Sequence, residues 1–158
     1  MTELPSGVKL GTANLEKIDW YWQKIKDFDR LFSDDIRWDE ECFFEKMYAP
    51  DTVFFETENG LLLLTGLREG MYAAAHITFW DHKLLPRVRM IKDLLTYCFI
   101  RYDLLRIEAL IPEFSRALKR FMEKRLGFVY EGRMRDRIIY MGNPADILIY
   151  SLLRREVL

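Results

Sequence analysis

The sequence predicts an α+β fold with a mixed, mostly antiparallel sheet that is flanked by helices and contains one right-handed β-α-β crossover. Two observations lead to this prediction: a run of strand patterns with short turns follows residue 50, and a strand-helix-strand order comes later. Half of the 158 residues are hydrophobic and 15% are aromatic, which supplies enough apolar surface for a packed core. We therefore expect residues 1–158 to form a single domain.

Two helices are predicted at the beginning of the chain. Asn14 is a suitable N-cap for the first helix. The apolar face of this helix follows spacings of three and four residues, with Ile18, Tyr21, Trp22, Ile25, Phe28 and Phe32. Asp39 is the expected cap of the second helix, which Pro50 ends. The expected buried residues of the second helix are Phe44, Met47 and Tyr48.

The next segment predicts an antiparallel meander. Residues 52–57 and 61–67 are rich in strand-forming side chains, and Asn59 and Gly60 between them favour a tight hairpin turn. A third strand follows at 71–80 after another short turn. Alternation places one set of its side chains on a common face: Tyr72, Ala74, His76, Thr78 and Trp80.

Helices and strands alternate in the rest of the chain. We expect a helix at 86–102, a strand at 104–111, a helix starting at Pro112, and strands at 128–140 and 146–153. Gly127 is the expected left-handed end of the helix that starts at Pro112. The expected buried residues of that helix are Phe114, Ala117, Leu118, Phe121 and Met122.

The composition excludes several classes of protein. A formal net charge of -1, from 24 basic and 25 acidic residues, argues against a protein that coats nucleic acid. The two cysteines, Cys42 and Cys98, are too few for a disulfide scaffold, and no spacing indicates a metal site. The sequence shows no secretory signal and no apolar run near the ~20 residues of a membrane span. It predicts a cytoplasmic monomer or homodimer without nucleic-acid or membrane partners.

One long segment of the second half carries a family resemblance. It combines an R-I-x-A strand with an E-K-x-x-G-F-x-x-E-G run and a following basic residue, at Arg106, Ile107, Ala109, Glu123, Lys124, Gly127, Phe128, Glu131, Gly132 and Arg133. The close of the chain, from Asp146 to Glu156, fits the pattern D-x-x-x-Y-S-L-L-x-x-E. The element order and these motifs together resemble the GNAT superfamily of acetyl-CoA-dependent N-acetyltransferases.

The resemblance implies a binding site for acetyl-CoA at the end of the strand at 71–80. In the family this strand splays from its neighbour, and the pantetheine arm pairs with the free backbone. A helix that starts after a strand also presents N–H groups and a positive dipole end to a pyrophosphate. The candidate cofactor-binding residues are Ile77, Phe79, Lys83, Leu84, Leu85, Arg87, Val88, Arg89 and Ser115.

The loop at residues 81–86 departs from the family pattern. Family pyrophosphate loops contain glycines, which let backbone N–H groups approach the phosphates, whereas this loop has no glycine and includes Pro86. Lys83, Arg87 and Arg89 are candidates for compensation by direct charge pairing with phosphate. A solvated basic rim is the alternative interpretation of these three residues.

His76 and Glu56 are the candidate general bases. The unperturbed pKa of histidine, about 6.5, suits proton transfer from an amine near neutral pH. In the family, a general base commonly lies on the strand at 71–80 or on the one beside it. The alternative interpretations are a structural histidine and an exposed strand carboxylate.

We therefore expect an N-acetyltransferase that transfers an acetyl group from acetyl-CoA to a primary amine by direct attack in a ternary complex. The acceptor is a protein N-terminus, a lysine or a small molecule. Two alternatives stay open: a non-catalytic GNAT-fold binding module with a degenerate acetyl-CoA site, and an acyltransferase for another acyl group.

The resemblance also indicates where the acceptor binds. The family's acceptor cleft corresponds here to residues 20–32, Arg37, Trp38 and the stretch 133–137. The arginines at 133–137 indicate an acidic peptide or an anionic small molecule as the acceptor. A solvated hairpin face is the alternative.

Overall fold

The computed structural model describes residues 3–26, 40–80 and 87–158. The strands in these ranges are β1 Lys9–Leu10, β2 Val53–Thr57, β3 Gly60–Arg68, β4 Tyr72–Phe79, β5 Arg106–Pro112, β6 Val129–Tyr140 and β7 Asn143–Leu153. The helices are α1 Leu15–Ile25, α2 Glu40–Tyr48, α3 Val88–Arg101, α4 Arg116–Phe121 and α5 Arg154–Val157. A π-helical turn, Met122–Leu126, continues α4.

The strands form one 7-stranded sheet in the order β1-β2-β3-β4-β5-β7-β6. The parallel pair is β4 and β5, and α3 connects these two strands along the chain. The other neighbouring strands are antiparallel. This mixed, mostly antiparallel sheet with flanking helices confirms the predicted fold class. No helix in the described ranges combines the length and the apolar character needed to cross a bilayer.

Helices cover the two faces of the sheet. On one face, α3 and the π turn after α4 belong to the largest hydrophobic cluster, to which β4 contributes Ala73 and Ala75. On the other face, α1 and α2 share a second cluster with Phe54, Leu61 and Leu63 of β2 and β3. The two clusters take alternate residues of β2 and β3, and the first cluster takes Ala73, Ala75, Ile77 and Phe79 of β4, so the predicted alternation of β4 agrees with the structure.

The first helix begins where the sequence predicts. The side-chain oxygen of Asn14 accepts a hydrogen bond of 2.9 Å from the backbone N–H of Lys17, so the predicted cap is confirmed. The buried residues of α1 are Ile18, Tyr21 and Ile25. Three further residues of the helix predictions lie outside the described ranges, namely Phe28, Phe32 and Asp39.

The buried face of α2 differs from the prediction. Phe43 and Met47 are buried, whereas Phe44 is half-buried and Tyr48 is 46% exposed. The ring of Phe43 lies 5.6 Å from the ring of Trp22 in α1, measured between centroids. Packing against α1 therefore decides which side chains point inward, and it selects Phe43 instead of its neighbour.

The predicted start of a helix at Pro112 is wrong. Pro112 is the last residue of β5 and pairs with Ile147 of β7, and α4 begins only at Arg116. Glu113 therefore lies outside the helix, where its carboxylate accepts a 3.1 Å hydrogen bond from the backbone N–H of Asp146. The strand extends this far because β7 offers it a pairing partner.

The rest of this helical segment agrees with the prediction in part. Ala117 is exposed instead of buried, Leu118 is half-buried and Met122 is fully buried. The π turn ends at Gly127, whose φ of 83° lies in the left-handed region. The predicted glycine stop is therefore confirmed.

Gly60 serves close packing in the hairpin between β2 and β3. Thr57 pairs with Gly60 across a two-residue connection, and the φ of Gly60 is not left-handed. A Cβ atom at this position would lie 2.2 Å from Cδ1 of the Phe79 side chain. The absence of a side chain therefore lets the Phe79 ring lie on the backbone of β3.

We expect Gly60→Ala to destabilise the protein by about 1–3 kcal/mol, because the Phe79 ring must move to admit the new methyl group. Gly132→Ala is the matched control: it also lies in a strand, its added Cβ meets no atom within 4 Å, and the expected change is within about 0.5 kcal/mol. Urea unfolding of the three proteins measures the difference. Equal stabilities of the two variants would contradict the close-packing role.

Candidate functional site

The parallel strands β4 and β5 pair over only part of their length. Their backbone pairing begins at Tyr72 and ends at Ala74, which lies opposite Glu108. Beyond this point β4 continues to Phe79 and β5 to Pro112, and no further pair joins the described residues of these two strands. The middle of the sheet therefore contains a gap between two strands that are each paired on their other side.

A cavity with a volume of about 280 Å³ lies at this gap. The strands themselves contribute Ala75, His76, Ile77, Thr78, Ala109, Leu110, Ile111 and Pro112. Leu118 and Met122 line it from the α4 side, and Leu61 and Leu63 line it from the side of α1 and α2. The cavity therefore has walls from both faces of the sheet, an arrangement in which two ligands from opposite faces can meet.

His76 is the predicted base that lines this cavity. Its Nε2 atom lies 3.0 Å from the hydroxyl oxygen of Thr65 on β3. Burial, and next the positive charge of Lys46, lowers the pKa of His76 to about 4. The imidazole is therefore neutral at pH 7, so it can accept a proton but is a weak base.

Glu56, the second predicted base, lies outside the residues that line the cavity. One carboxylate oxygen is 2.7 Å from the amino group of Lys17. The carboxylate also accepts a hydrogen bond from the phenol of Tyr21, whose pKa is raised by burial and by this carboxylate. Through Leu61, Glu56 is in register with Thr78 of β4 at a distance of two strand spacings, about 10 Å.

The predicted cofactor residues fall into three groups: those that line the cavity, those around the beginning of α3, and those outside the described residues. Ile77 and Ser115 line the cavity. Phe79 lies at the end of β4, and the guanidinium of Arg87 lies 4.9 Å from the centre of its ring. Val88 is the first residue of α3, and Arg89 follows it on the surface with its side chain 94% exposed. The remaining three lie outside the described residues: Lys83, Leu84 and Leu85.

The beginning of α3 has an unusual charge distribution. Its first turn contains no acidic residue, and Arg87 and Arg89 lie beside its positive dipole end. Asp93, at 4.0 Å from Arg89, is one turn further along the helix. Like charges at this end are unfavourable by themselves, and an anion bound there stabilises both the dipole and the arginines.

The residues that carried the family resemblance bond to one another. Tyr150 donates a 2.7 Å hydrogen bond to the carboxylate of Glu123. Glu131 accepts hydrogen bonds from Arg106 and Ser151, which lower its pKa to about 2. These contacts connect β5, β6, β7 and the π turn, so these motif residues brace the structure around the gap.

Several cavity residues were missed by sequence reasoning. They include Ala109, Leu110, Ile111, Leu118, Met122 and Ile138. Most are apolar, and an apolar residue that lines a cavity has the same sequence pattern as one in a filled core. Arg137 also lines the cavity, and here the arginine-rich stretch at 133–137 was a usable signal.

Comparison with known proteins shows the same fold. No family model matches the chain. A crystal structure of spermidine N-acetyltransferase from Vibrio cholerae, in complex with CoA and spermine, has a TM-score of 0.73 at 17% identity over 97% of this chain and 99% of that one. The ribosomal L7/L12 α-N-protein acetyltransferase RimL, in complex with coenzyme A, has a TM-score of 0.72 at 13% identity over 98% of both chains.

A curated Bacillus subtilis (strain 168) protein, YdaF, to which ribosomal N-acetyltransferase activity is attributed, is 35% identical over 86 residues. The match covers 52% of this chain and 46% of YdaF, so the chain spans less than half the length of this relative.

The pKa of His76 predicts a pH dependence of stability. The unfolded state binds a proton below a pKa of about 6.5 and the folded state only below about 4, so stability falls as the pH drops from 6.5 to 4. The His76 contribution to this loss reaches about 3 kcal/mol at pH 4. Urea unfolding at pH 7, 5.5 and 4.5 should show a weaker pH dependence for His76→Gln than for the wild type. Parallel curves would contradict the lowered pKa.

Proposed function

From the premise that the chain has the fold of the GNAT acetyltransferases, we propose that it is an N-acetyltransferase. It transfers an acetyl group from acetyl-CoA to a primary amine by direct attack in a ternary complex. The observation that carries this proposal is the cavity at the gap between β4 and β5, which has walls from both faces of the sheet. The amine and the acetyl donor can approach each other there from opposite sides.

The residues around the gap fit acetyl-CoA. The unpaired edge of β4, beyond Ala74, offers backbone groups to a ligand that contains amides, as an added strand would. The beginning of α3, with Arg87 and Arg89, suits the phosphates. The solved relatives in complex with CoA support this assignment. When bound, acetyl-CoA supplies a thioester whose C–S bond breaks as the new C–N bond forms.

His76 is the residue best placed to take the proton that the attacking amine loses, because it lines the cavity and is neutral at pH 7. Glu56 is the second candidate. Its ion pair with Lys17 and its distance of about 10 Å from the β4 register position make it a less direct acceptor.

We further propose that residues 1–158 act as one acetyltransferase domain in the cytoplasm. One sheet contains strands from β1 near the beginning of the chain to β7 near its end, which supports a single domain. The acceptor class is taken up in the next subsection.

Acetyl-CoA binding is the first test of the proposed function. Isothermal titration calorimetry should detect binding to the wild type, and Arg87→Ala combined with Arg89→Ala should weaken it about tenfold or more through loss of phosphate pairing. Lys92→Ala, an exposed substitution on the same helix, should leave the affinity unchanged. No binding at millimolar acetyl-CoA would contradict the enzyme proposal and favour a binding module.

The second test concerns the base. His76→Gln should lower kcat by about 10²-fold or more with the KM for acetyl-CoA little changed, because general-base catalysis contributes in this range. Glu56→Gln, measured beside it, tests the second candidate. If His76→Gln retains the wild-type rate from pH 6 to pH 8, His76 is not the base, and a loss in Glu56→Gln alone would assign the role to Glu56.

A further inference from the structure

The hairpin of β6 and β7 contains a wide bulge beside the cavity. Met134 pairs with Ile147 and Ile138 pairs with Ala145, so the stretch 135–137 of β6 lies opposite Asp146 alone. Within this stretch Asp136 has a φ of 49°, in the left-handed region. A bulge of this kind redirects side chains away from the regular alternation of a strand.

Asp146 holds the bulge in one conformation. Its half-buried carboxylate accepts a 2.8 Å hydrogen bond from the backbone N–H of Asp136 and a 2.9 Å bond from Arg133. The backbone N–H of Asp146 donates to Glu113, which also lies 3.7 Å from Arg133. Because the connection between β5 and α4 carries Glu113, the bulge is anchored to the strand that borders the gap.

The bulge places Arg137 at the cavity. Arg137 lines the cavity together with Met134 and Ile138. Among the described lining residues, Arg137 is the one charged side chain, because His76 is neutral there. No carboxylate among the described residues lies within 4.0 Å of its guanidinium, whereas the nearby Arg133 is paired with Asp146 and Glu113. Among the described residues, Arg137 is therefore the one charged side chain at the cavity, and the other lining residues are apolar or neutral.

We propose that Arg137 determines the class of acceptor: a primary amine that carries a carboxylate a few bonds from its nitrogen, bound by the guanidinium of Arg137. The inference rests on the proposed N-acetyltransferase function. A carboxylate and a guanidinium form a charge-assisted, often bidentate pair. A second cationic group on the acceptor, as in a polyamine, would instead be repelled by the positive charge of Arg137.

The weak base beside Arg137 agrees with this choice of acceptor. An α-amino group has a pKa of about 7.7–8.0, so a sizeable fraction is unprotonated near pH 7.5, whereas for a lysine amine of about 10.4 that fraction is on the order of 10⁻³. A weakly basic imidazole serves best where the amine already arrives in its free form. The N-terminus of an acidic peptide has this chemistry, whereas a small amino acid-like amine shares the carboxylate but has a more basic nitrogen.

The test uses matched acceptors that differ in one carboxylate. The amidated peptides Ala-Glu-Ala and Ala-Gln-Ala form one pair, β-alanine and β-alaninamide form a second, and spermidine is the cationic probe. We expect the wild type to favour the carboxylate member of a pair about tenfold in kcat/KM. The pair with the larger ratio identifies a peptide or a small molecule as the source of the carboxylate.

Substitutions then assign the preference to one side chain. Arg137→Ala should reduce the ratio to near one through the KM of the acceptor, and Arg137→Glu should invert it, with the KM for acetyl-CoA unchanged in both. Arg135→Ala is the matched control from the same exposed bulge, because Arg135 does not line the cavity, and it should keep the wild-type ratio. Thermal unfolding checks that all variants fold.

Any of three results in the acceptor comparison would overturn the proposal: equal use of both members in each pair, a preference for spermidine, or an unchanged ratio in Arg137→Glu. A rise in the KM for acetyl-CoA in place of the acceptor KM would also overturn it, because Arg137 would then serve the phosphates. If no amine is acetylated, the proposed function fails by itself. Calorimetric binding of Ala-Glu-Ala in the presence of CoA, lost in Arg137→Glu but kept in Arg135→Ala, still tests the role of Arg137.

Discussion

The early end of the pairing between β4 and β5 is the constraint on which the site depends. Backbone N–H and C=O groups in a protein interior need partners, yet the facing edges of these two strands part after Ala74 and Glu108 in the middle of the sheet. Apolar side chains from both faces of the sheet line the cavity at this gap. A ligand with amide groups can complete the interrupted sheet, so the same defect that costs pairing energy provides a binding edge.

Two sets of contacts maintain this arrangement. The motif residues stabilise the β5 side of the gap. There Tyr150 donates a hydrogen bond to Glu123, and Glu131 accepts hydrogen bonds from Arg106 and Ser151. On the β4 side of the gap, the Phe79 ring packs on the backbone of Gly60, and the guanidinium of Arg87 lies over that ring. The hairpin of β2 and β3 is thereby connected to the beginning of α3.

The beginning of α3 and the cavity differ in electrostatic character. At α3, Arg87 and Arg89 add positive charge to a helix end that is already positive. Near the β6–β7 bulge, a neutral imidazole and the guanidinium of Arg137 line the cavity among mostly apolar side chains of the described residues. Arg137 is exposed, so water screens its charge in part, and a bidentate pair with a carboxylate is the interaction that would discriminate between ligands.

The sequence by itself determined the elements whose signals are local. The Asn14 cap, the Gly127 stop, the strand alternation of β4 and the motif residues were all readable, because each depends on a few neighbouring side chains or on a fixed spacing. Only the tertiary structure decided the rest. Packing against α1 buries Phe43, and pairing with β7 places Pro112 in a strand. The contact with the Phe79 ring is the reason why position 60 has no side chain. A bulge anchored by Asp146 places Arg137 at the cavity. These outcomes depend on contacts between segments far apart in the chain, which no local pattern encodes.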